Sequence, residues 1–192
     1  MEFLNIKMLR VVFCIFGVTL LVACKSSENN NSYPIIDKTY SEGFKTKESD
    51  LDIYLPHVQV YNCENPDGLR ENIINRFNSR FNTYFVSNQF YYIPDFLDRT
   101  EIGDKIIDSL EDTKSKLIPN QLKKHLNKNK KYSLVSCYKG YHLKKYSQLN
   151  IFIIDNKTFE KVYSNYNARL INFDDPQRTD EFSKEVFKRF LE

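Results

Sequence analysis

The sequence is poor in the residues that mark irregular or metal-dependent folds. It contains no tryptophan and only 5 glycines and 6 prolines among 192 residues, which excludes a collagen-like or low-complexity chain. It has no Cys-x-x-Cys and no His-Glu-x-x-His pattern, so no zinc-site signature is present. Hydrophobic residues make up 41% and aromatic residues 15%, enough for a folded core. The net charge of +3 is too small by itself to indicate a nucleic-acid partner.

The first 23 residues are typical of a secretory signal peptide. Lys7 and Arg10 are basic, and the apolar run over residues 11–23 follows them. This run is shorter than the roughly 20 apolar residues that a membrane-spanning helix needs. The sequence therefore predicts that residues 1–23 are a cleaved signal peptide.

The end of this run carries a resemblance to a processing motif. Residues 21–24 read Leu-Val-Ala-Cys, which resembles the lipobox of bacterial lipoproteins. The resemblance implies that Cys24 carries a covalent lipid, and we expect no other cofactor. In such lipoproteins an aspartate after the cysteine usually retains the protein at the inner membrane. Lys25 stands there instead, which implies the outer membrane and a periplasmic domain, with the cell surface as an alternative.

Composition divides the rest of the chain in two. Residues 25–32 contain no apolar side chain, and residues 41–52 are rich in charge. Such segments bury too little apolar surface to offset their ordering entropy. The sequence predicts the lipidated cysteine and a flexible tether over residues 24–50, followed by one periplasmic domain over residues 51–192.

Hydrophobic periodicity predicts an α+β protein, an α/β sandwich in the order β-α-β-α-β-β-β-α. One mixed sheet of four to five strands carries the helices. The first predicted strand spans residues 53–61, with Pro56 at a strand start or a bulge. A stripe of apolar residues at every fourth position predicts an amphipathic helix over residues 69–85. The remaining predicted elements are strands at 90–93, 132–138, 149–154 and 159–170, the last two forming a hairpin, and helices at 100–118, 121–127 and from 179 onward.

Five segments resemble pieces of a known domain: Val58–Asn62, Leu69–Phe85, Phe90–Ile93, Tyr132–Val135 and Leu149–Ser164. The domain is shared by envelope proteins that include the activators of penicillin-binding proteins (LpoB), the curli-secretion lipoprotein (CsgG) and the N-terminal domain of TolB. The resemblance covers most of residues 55–192. It implies an α/β domain with a binding or scaffold role rather than catalysis.

The chain departs from this group at two points. Ser136 and Cys137 follow the Tyr132–Val135 segment, where the group often has a glycine, and the chain has no room for the inserted hairpins of the curli pore. The lipopolysaccharide-assembly lipoprotein LptE has a comparable order of strands and helices. It remains an alternative resemblance.

Two cysteines remain in the predicted mature domain. Cys63 follows the first predicted strand and Cys137 lies in the third, and these strands are neighbours in the suspected fold. A disulfide between them would close a loop of about 74 residues and stabilise the fold by about 4 kcal/mol. Two buried free thiols are the alternative.

No pattern indicates a catalytic site. His57, His125 and His142 are isolated in the sequence, and His57 lies about 20 Å from Cys63 along one extended strand. Pairs of acidic residues lie at turns and predicted helix starts, where carboxylates cap backbone N–H groups. We therefore predict no catalytic residues and no metal ligands.

Charge distribution supplies the clearest surface feature. Residues 114–145 contain ten lysines and no acidic residue, whereas residues 95–112 contain seven acids and two bases. Part of the lysine segment is the predicted face for an anionic partner: Lys123, Lys124, Lys128, Lys130 and Lys131. Lipid headgroups, lipopolysaccharide phosphates or an acidic protein would fit it. A solvated helix and loop is the alternative.

These observations favour a non-catalytic, outer-membrane-anchored lipoprotein that binds or regulates an envelope component, or serves as a scaffold. We expect the membrane, through the lipid on Cys24, and another envelope protein or anionic polymer as partners, and no nucleic acid. The alternatives are a lipopolysaccharide-assembly partner of a β-barrel protein and an envelope hydrolase. The sequence does not give the oligomeric state.

Overall fold

The computed structural model describes residues 36–41, 43–87, 89–97, 101–126, 129–141, 146–172 and 175–192. The strands are β1 (Ile36–Tyr40), β2 (Leu51–Tyr54), β3 (His57–Tyr61), β4 (Phe90–Tyr91), β5 (Tyr132–Tyr141), β6 (Tyr146–Asp155) and β7 (Glu160–Arg169). The helices are α1 (Pro66–Tyr84), α2 (Pro94–Leu97), α3 (Glu101–Glu111), α4 (Asn120–Lys123) and α5 (Pro176–Lys188). A single turn of 3-10 helix, Glu48–Asp50, precedes β2. Within these ranges no helix is long and apolar enough to cross a membrane.

All seven strands belong to one mixed sheet. Its order is β1-β7-β6-β5-β2-β4, and β3 also pairs with β5. The strands β5, β6 and β7 form an antiparallel meander, whereas β2 and β3 run parallel to β5. The predicted α+β class, the mixed sheet and the final hairpin are confirmed, with seven strands in place of four to five.

Pro56 divides the first predicted strand into β2 and β3. Both lie along β5, where Leu51 is opposite Tyr132 and His57 is opposite Cys137. From Leu51 to His57 the chain advances six residues, while the paired stretch of β5 advances five. One extra residue on one of two paired strands is the geometry of a β-bulge. Proline lacks the N–H that a continuous strand would donate here, so the bulge falls where the sequence predicts it.

Helices cover both faces of the sheet. Strand residues alternate between two cores, as Leu134 and Val135 on β5 illustrate. On one face α1 and α5 meet, and their Phe81 and Phe187 rings are fully buried with centroids 5.3 Å apart. On the other face α3 contributes the fully buried Ile107 beside α2 and α4. Each such side chain contributes roughly 1.5–3 kcal/mol by leaving water.

The predicted amphipathic helix is confirmed as α1. The side-chain oxygen of Asn65 accepts the Gly68 N–H at 3.1 Å, and Pro66 occupies the first turn, where no backbone donor is needed. Its buried stripe includes Phe77 and Phe81. The chain turns extended at Phe85, which ends the helix.

The predicted tether boundary at residue 50 requires correction. β1 pairs antiparallel with β7, from Ile36 opposite Ala168 to Tyr40 opposite Ser164. Composition misleads here because β1 is an edge strand, and an edge strand with an exposed side needs no apolar pattern. The predicted signal peptide, Cys24 and the rest of residues 1–35 lie outside the described residues.

The predicted disulfide is also wrong in this structure, because both thiols are free. β3 and β5 are neighbours as predicted, but their register places His57, not Cys63, opposite Cys137. Cys63 lies two residues past the end of β3, and the strand from His57 to Tyr61 alone spans about 13 Å. Two cysteines with Cα atoms more than about 7 Å apart cannot be bridged without backbone movement.

Candidate functional site

A cleft at one end of the β5–β6 hairpin pair gathers lysine and amide side chains. Its volume is about 610 Å³. The residues that form it, together with Asp155, define what we call the lysine cleft: Asn129, Lys130, Lys131, Asn156, Lys157 and Phe159. The pairing of Tyr132 with Asp155 brings the two segments together, because it sets the β6–β7 turn beside the start of β5.

Asn156 fixes the backbone of this cleft. Its side-chain amide donates to the Lys130 carbonyl at 3.0 Å, and its backbone N–H donates to the Lys131 carbonyl at 3.0 Å. Its side-chain oxygen accepts the Ser133 hydroxyl at 2.7 Å. Asn156 is itself only 4% exposed. The first two bonds hold the Lys130 and Lys131 backbones at the cleft, and the third fixes the Asn156 side chain, so a ligand there would meet lysine backbones that are already ordered.

Phe159 stands in the left-handed region of the backbone map, with φ of 57°. Glycine or asparagine ordinarily takes this place in a hairpin turn, and a bulky residue there costs on the order of 1–3 kcal/mol. Bonds on both sides hold it, because its N–H donates to the Asp155 carbonyl and its carbonyl accepts the Ile118 N–H. Lys123 lies 5.7 Å above its ring. The aromatic wall of the cleft is therefore maintained against a local cost.

The ammonium groups of Lys130 and Lys131 contact neutral partners. Lys130 donates to the Ser49 carbonyl at 2.6 Å, and the Lys131 ammonium lies 4.8 Å from the Tyr132 ring centroid. A hydrogen bond to Tyr132 raises the pKa of Lys131, which keeps it charged. Among the described residues, none of the carboxylates forms an ion pair with Lys130, Lys131 or Lys157. Asp155 instead accepts the N–H groups of its own turn, at Lys157 and Thr158.

The structure brings together only part of the predicted lysine face. Lys130 and Lys131 line the cleft, and Lys123 reaches it through Phe159. Lys124 is exposed beyond the end of α4 and does not line the cleft, and Lys128 lies outside the described residues. The sequence analysis missed Lys157, although the predicted hairpin turn contains it.

A second cluster of polar side chains lies beneath α3. Its lysine is buried and paired with a carboxylate, unlike the lysines of the cleft. Lys139 pairs there with Glu111 at 2.6 Å, and Asn150 donates to the same carboxylate at 2.7 Å. Further along the strands, Asp104 accepts His57 at 2.9 Å and Gln59 at 2.6 Å. We call these six residues the polar layer. Asp104 and Glu111 of the acidic segment thus accept bonds from strand residues, and Lys139 of the lysine segment is buried.

Cys137 borders the polar layer and lies near its His57 and Asp104. Cys137 is paired with His57 in register, and its thiol lies 3.8 Å from the Gln59 side-chain oxygen. Burial raises the pKa of Cys137 well above its usual value, so the thiol remains protonated. A protonated, fully buried thiol is neither a nucleophile nor accessible to substrate.

The other histidines add no cluster. His125 lies 3.4 Å from Asp95 at the α2 end of the molecule, and His142 lies outside the described residues. Within the described ranges, no three His, Cys, Asp or Glu side chains come together to hold a metal ion. The lysine cleft is therefore the site whose geometry we develop further.

The chain matches no protein-family model and no curated protein. It is similar to a solved PelC dodecamer from Paraburkholderia phytofirmans, with 12% identity, a TM-score of 0.44, and coverage of 80% of this chain and 94% of that chain. It is similar to the LpoB C-terminal domain from Salmonella enterica, with 11% identity, a TM-score of 0.34, and coverage of 67% and 86%. It is similar to lipoprotein GNA1162 from Neisseria meningitidis, with 7% identity, a TM-score of 0.30, and coverage of 73% and 98%. At these identities the likeness gives no residue of this chain a role.

Proposed function

We propose that this chain is a non-catalytic cell-envelope lipoprotein whose domain binds an anionic envelope component in the lysine cleft. The observation that carries the proposal is the convergence of Lys130, Lys131 and Lys157 on one cleft with no carboxylate pairing to them among the described residues. A volume of about 610 Å³ suits a headgroup or a sugar phosphate.

Electrostatics supports this choice of ligand charge. Each lysine near an anionic surface contributes about 1 kcal/mol of attraction, which salt weakens. Lysine is a compact point charge that commonly binds phosphate, and the amide of Asn129 adds a hydrogen-bonding group at the rim. Three lysines would together contribute about 3 kcal/mol of attraction.

The lipid anchor is part of the same proposal. The Leu-Val-Ala-Cys motif at residues 21–24 supports lipidation of Cys24, and Lys25 supports the outer membrane. A single acyl chain gives only marginal membrane binding, whereas several chains together anchor a protein stably. We infer that the anchor holds the domain at the membrane and that the lysine cleft selects what it meets there.

The test is photo-crosslinking of the full-length chain in its native envelope. A photo-reactive amino acid replaces the exposed Thr158 beside Lys157, and the same amino acid replaces Glu71 on α1 as a positional control. We expect an adduct at position 158 that disappears when Lys130, Lys131 and Lys157 are changed to Glu. We expect Cys24→Ser to remove the chain from the membrane fraction and to abolish the same adduct.

Two controls make the result decisive. Reversal of Lys38, Lys184 and Lys188 changes the net charge equally at exposed positions outside the cleft, and it should leave the adduct intact. Thermal melting of each purified variant establishes that the domain is still folded. An adduct that survives reversal of the cleft lysines in a folded variant overturns the proposed function.

A further inference from the structure

One side-chain oxygen of Asp52 is buried and has no hydrogen-bond donor among the described residues. Its side chain lies on β2 and is only 2% exposed, beside Ser133 of β5 in register. Tyr91 on β4 hydrogen-bonds the carboxylate, yet its Oδ2 atom has no hydrogen-bond partner among the described residues. Buried carboxylate oxygens nearly always have partners, because leaving one without a donor is costly. A donor from outside the chain would meet this need.

The unsatisfied carboxylate faces a cleft that adjoins the lysine cleft. This Asp52 cleft has a volume of about 340 Å³ and is lined by Glu48, Ser49, Asp52, Ser87, Tyr91 and Lys130, among others. Lys130 lines both clefts, so the two are adjacent. The other carboxylate of the cleft, Glu48, already accepts the backbone N–H groups of Val86 and Ser87. Asp52 is therefore the carboxylate of this cleft that keeps an acceptor without a donor, and the atom is buried at the cleft wall.

Lys130 does not neutralise Asp52. Its ammonium donates to the Ser49 carbonyl, and the two side chains form no ion pair. Burial raises the pKa of Asp52, and the smaller opposing effect of the Lys130 charge does not cancel it. A neutral donor such as a hydroxyl would leave the buried charge uncompensated, whereas a primary ammonium would both donate and neutralise.

The two adjacent clefts thus favour ligand groups of opposite charge. The Asp52 side suits a hydrogen-bonding cation, and the side of Lys130, Lys131 and Lys157 suits an anion of high charge density. We propose that the paired clefts bind a phosphoethanolamine-type zwitterion, with its primary ammonium on Asp52 and its phosphate on the three lysines. This inference deepens the proposed function and depends on it for the phosphate side. The same group occurs on lipid headgroups, on envelope polymers and as a free small molecule.

The experiment is calorimetric titration of the purified full-length chain in nonionic detergent. The probes are phosphoethanolamine, inorganic phosphate, ethanolamine and phosphocholine. Phosphocholine carries the same two charges, but its trimethylated nitrogen cannot donate a hydrogen bond. We expect phosphoethanolamine to bind about ten-fold more tightly than the other three, since a hydrogen bond to a charged group contributes at least that factor.

Two variants separate the halves of the site. Asp52→Asn preserves side-chain size and should lower phosphoethanolamine affinity to that of inorganic phosphate, with phosphate binding unchanged. Changing Lys130, Lys131 and Lys157 to Gln should abolish phosphate binding. Glu64→Gln removes one negative charge that lies outside both clefts and should change nothing.

The outcomes distinguish this inference from the proposed function. Equal binding of phosphoethanolamine and phosphocholine, or an unchanged affinity in a folded Asp52→Asn variant, overturns the zwitterion and leaves an anion site. Retention of phosphate binding without the three lysines overturns the proposed site itself. Vesicles that carry phosphatidylethanolamine should compete with the free probe if the source is a lipid, whereas phosphatidylcholine vesicles should not.

Discussion

The lysine cleft and the polar layer use the same residue types for opposite purposes. In the polar layer, Lys139 is 8% exposed and its ammonium is paired with Glu111. In the lysine cleft, Lys130 and Lys131 are exposed and have no carboxylate partner among the described residues. Both groups come from neighbouring stretches of β5 and the segment before it. The difference lies in the surroundings, because Lys139 is buried against Glu111 of α3, whereas Lys130 and Lys131 are exposed to water.

This contrast shows where charge contributes to folding and where it remains available for binding. A charge that leaves water must find its partner within the chain, and its loss then leaves that partner buried and uncompensated. A solvated charge contributes little to stability and can exchange water for a ligand. The three predictions that follow test this division, beginning with the largest expected effect.

We expect the largest loss in the free energy of unfolding from a substitution in the polar layer. Glu111→Ala leaves both Lys139 and Asn150 without their acceptor, and we expect the free energy of unfolding to fall by about 3 kcal/mol. Urea denaturation of the full-length chain, followed by circular dichroism, measures it. Adding Lys139→Met to the same variant removes the stranded charge and should recover part of the loss. A loss below about 1 kcal/mol would contradict the assignment of this pair to the folding core.

The second prediction concerns how the free energy of unfolding depends on pH. Burial lowers the pKa of His57, Arg70 adds to that lowering, and Asp104 opposes it. The unfolded chain therefore takes up this proton at a higher pH than the folded chain. The free energy of unfolding should fall as the pH drops below the ordinary value of about 6.5, by at most about 1.4 kcal/mol per pH unit.

His57→Gln should make that profile less steep between pH 7.5 and 5.5. Urea midpoints measured at constant ionic strength give the two profiles. Above pH 8 the imidazole is neutral in both states, so the slopes of variant and parent should agree there. Equal slopes at low pH as well would show that His57 does not contribute to acid sensitivity.

We expect the smallest change in the free energy of unfolding from substitutions in the lysine cleft. The single changes Lys130→Gln, Lys131→Gln and Lys157→Gln should each alter the free energy of unfolding by no more than about 0.5 kcal/mol, because solvated charges contribute little. The same urea experiment measures them. A loss near that of Glu111→Ala would mean that the lysines serve the fold, and the contrast between the two regions would disappear.

Much of the fold was predictable because it rests on local pattern. The spacing of Phe77 and Phe81 gives α1, the polar turn at residues 155–158 gives the last hairpin, and Pro56 gives the bulge. β1 was not predictable, since its partner strand begins more than 100 residues later and its own sequence shows no alternation.

The positive charge of the site could be predicted from the sequence, but the positions of its residues relative to one another could not. A run of lysines is visible in the sequence, yet the cleft depends on the register that sets Tyr132 opposite Asp155 and so brings Lys157 beside Lys130. The missing disulfide has the same origin, because parallel pairing shifts Cys63 away from Cys137. Register depends on how two strands pair, so it cannot be read from the sequence of either strand alone.

If Cys24 carries the lipid that we propose, the pairing of β1 with β7 limits how far the domain can move from the bilayer. With the lipid that we propose on Cys24, a tether through residue 50 would allow a reach of about 90 Å, whereas residues 24–35 fully extended span about 40 Å. The lysine cleft would then sample only a shallow zone next to the membrane. A partner held deeper in the envelope would have to approach the bilayer, or β1 would have to leave the sheet edge to meet it.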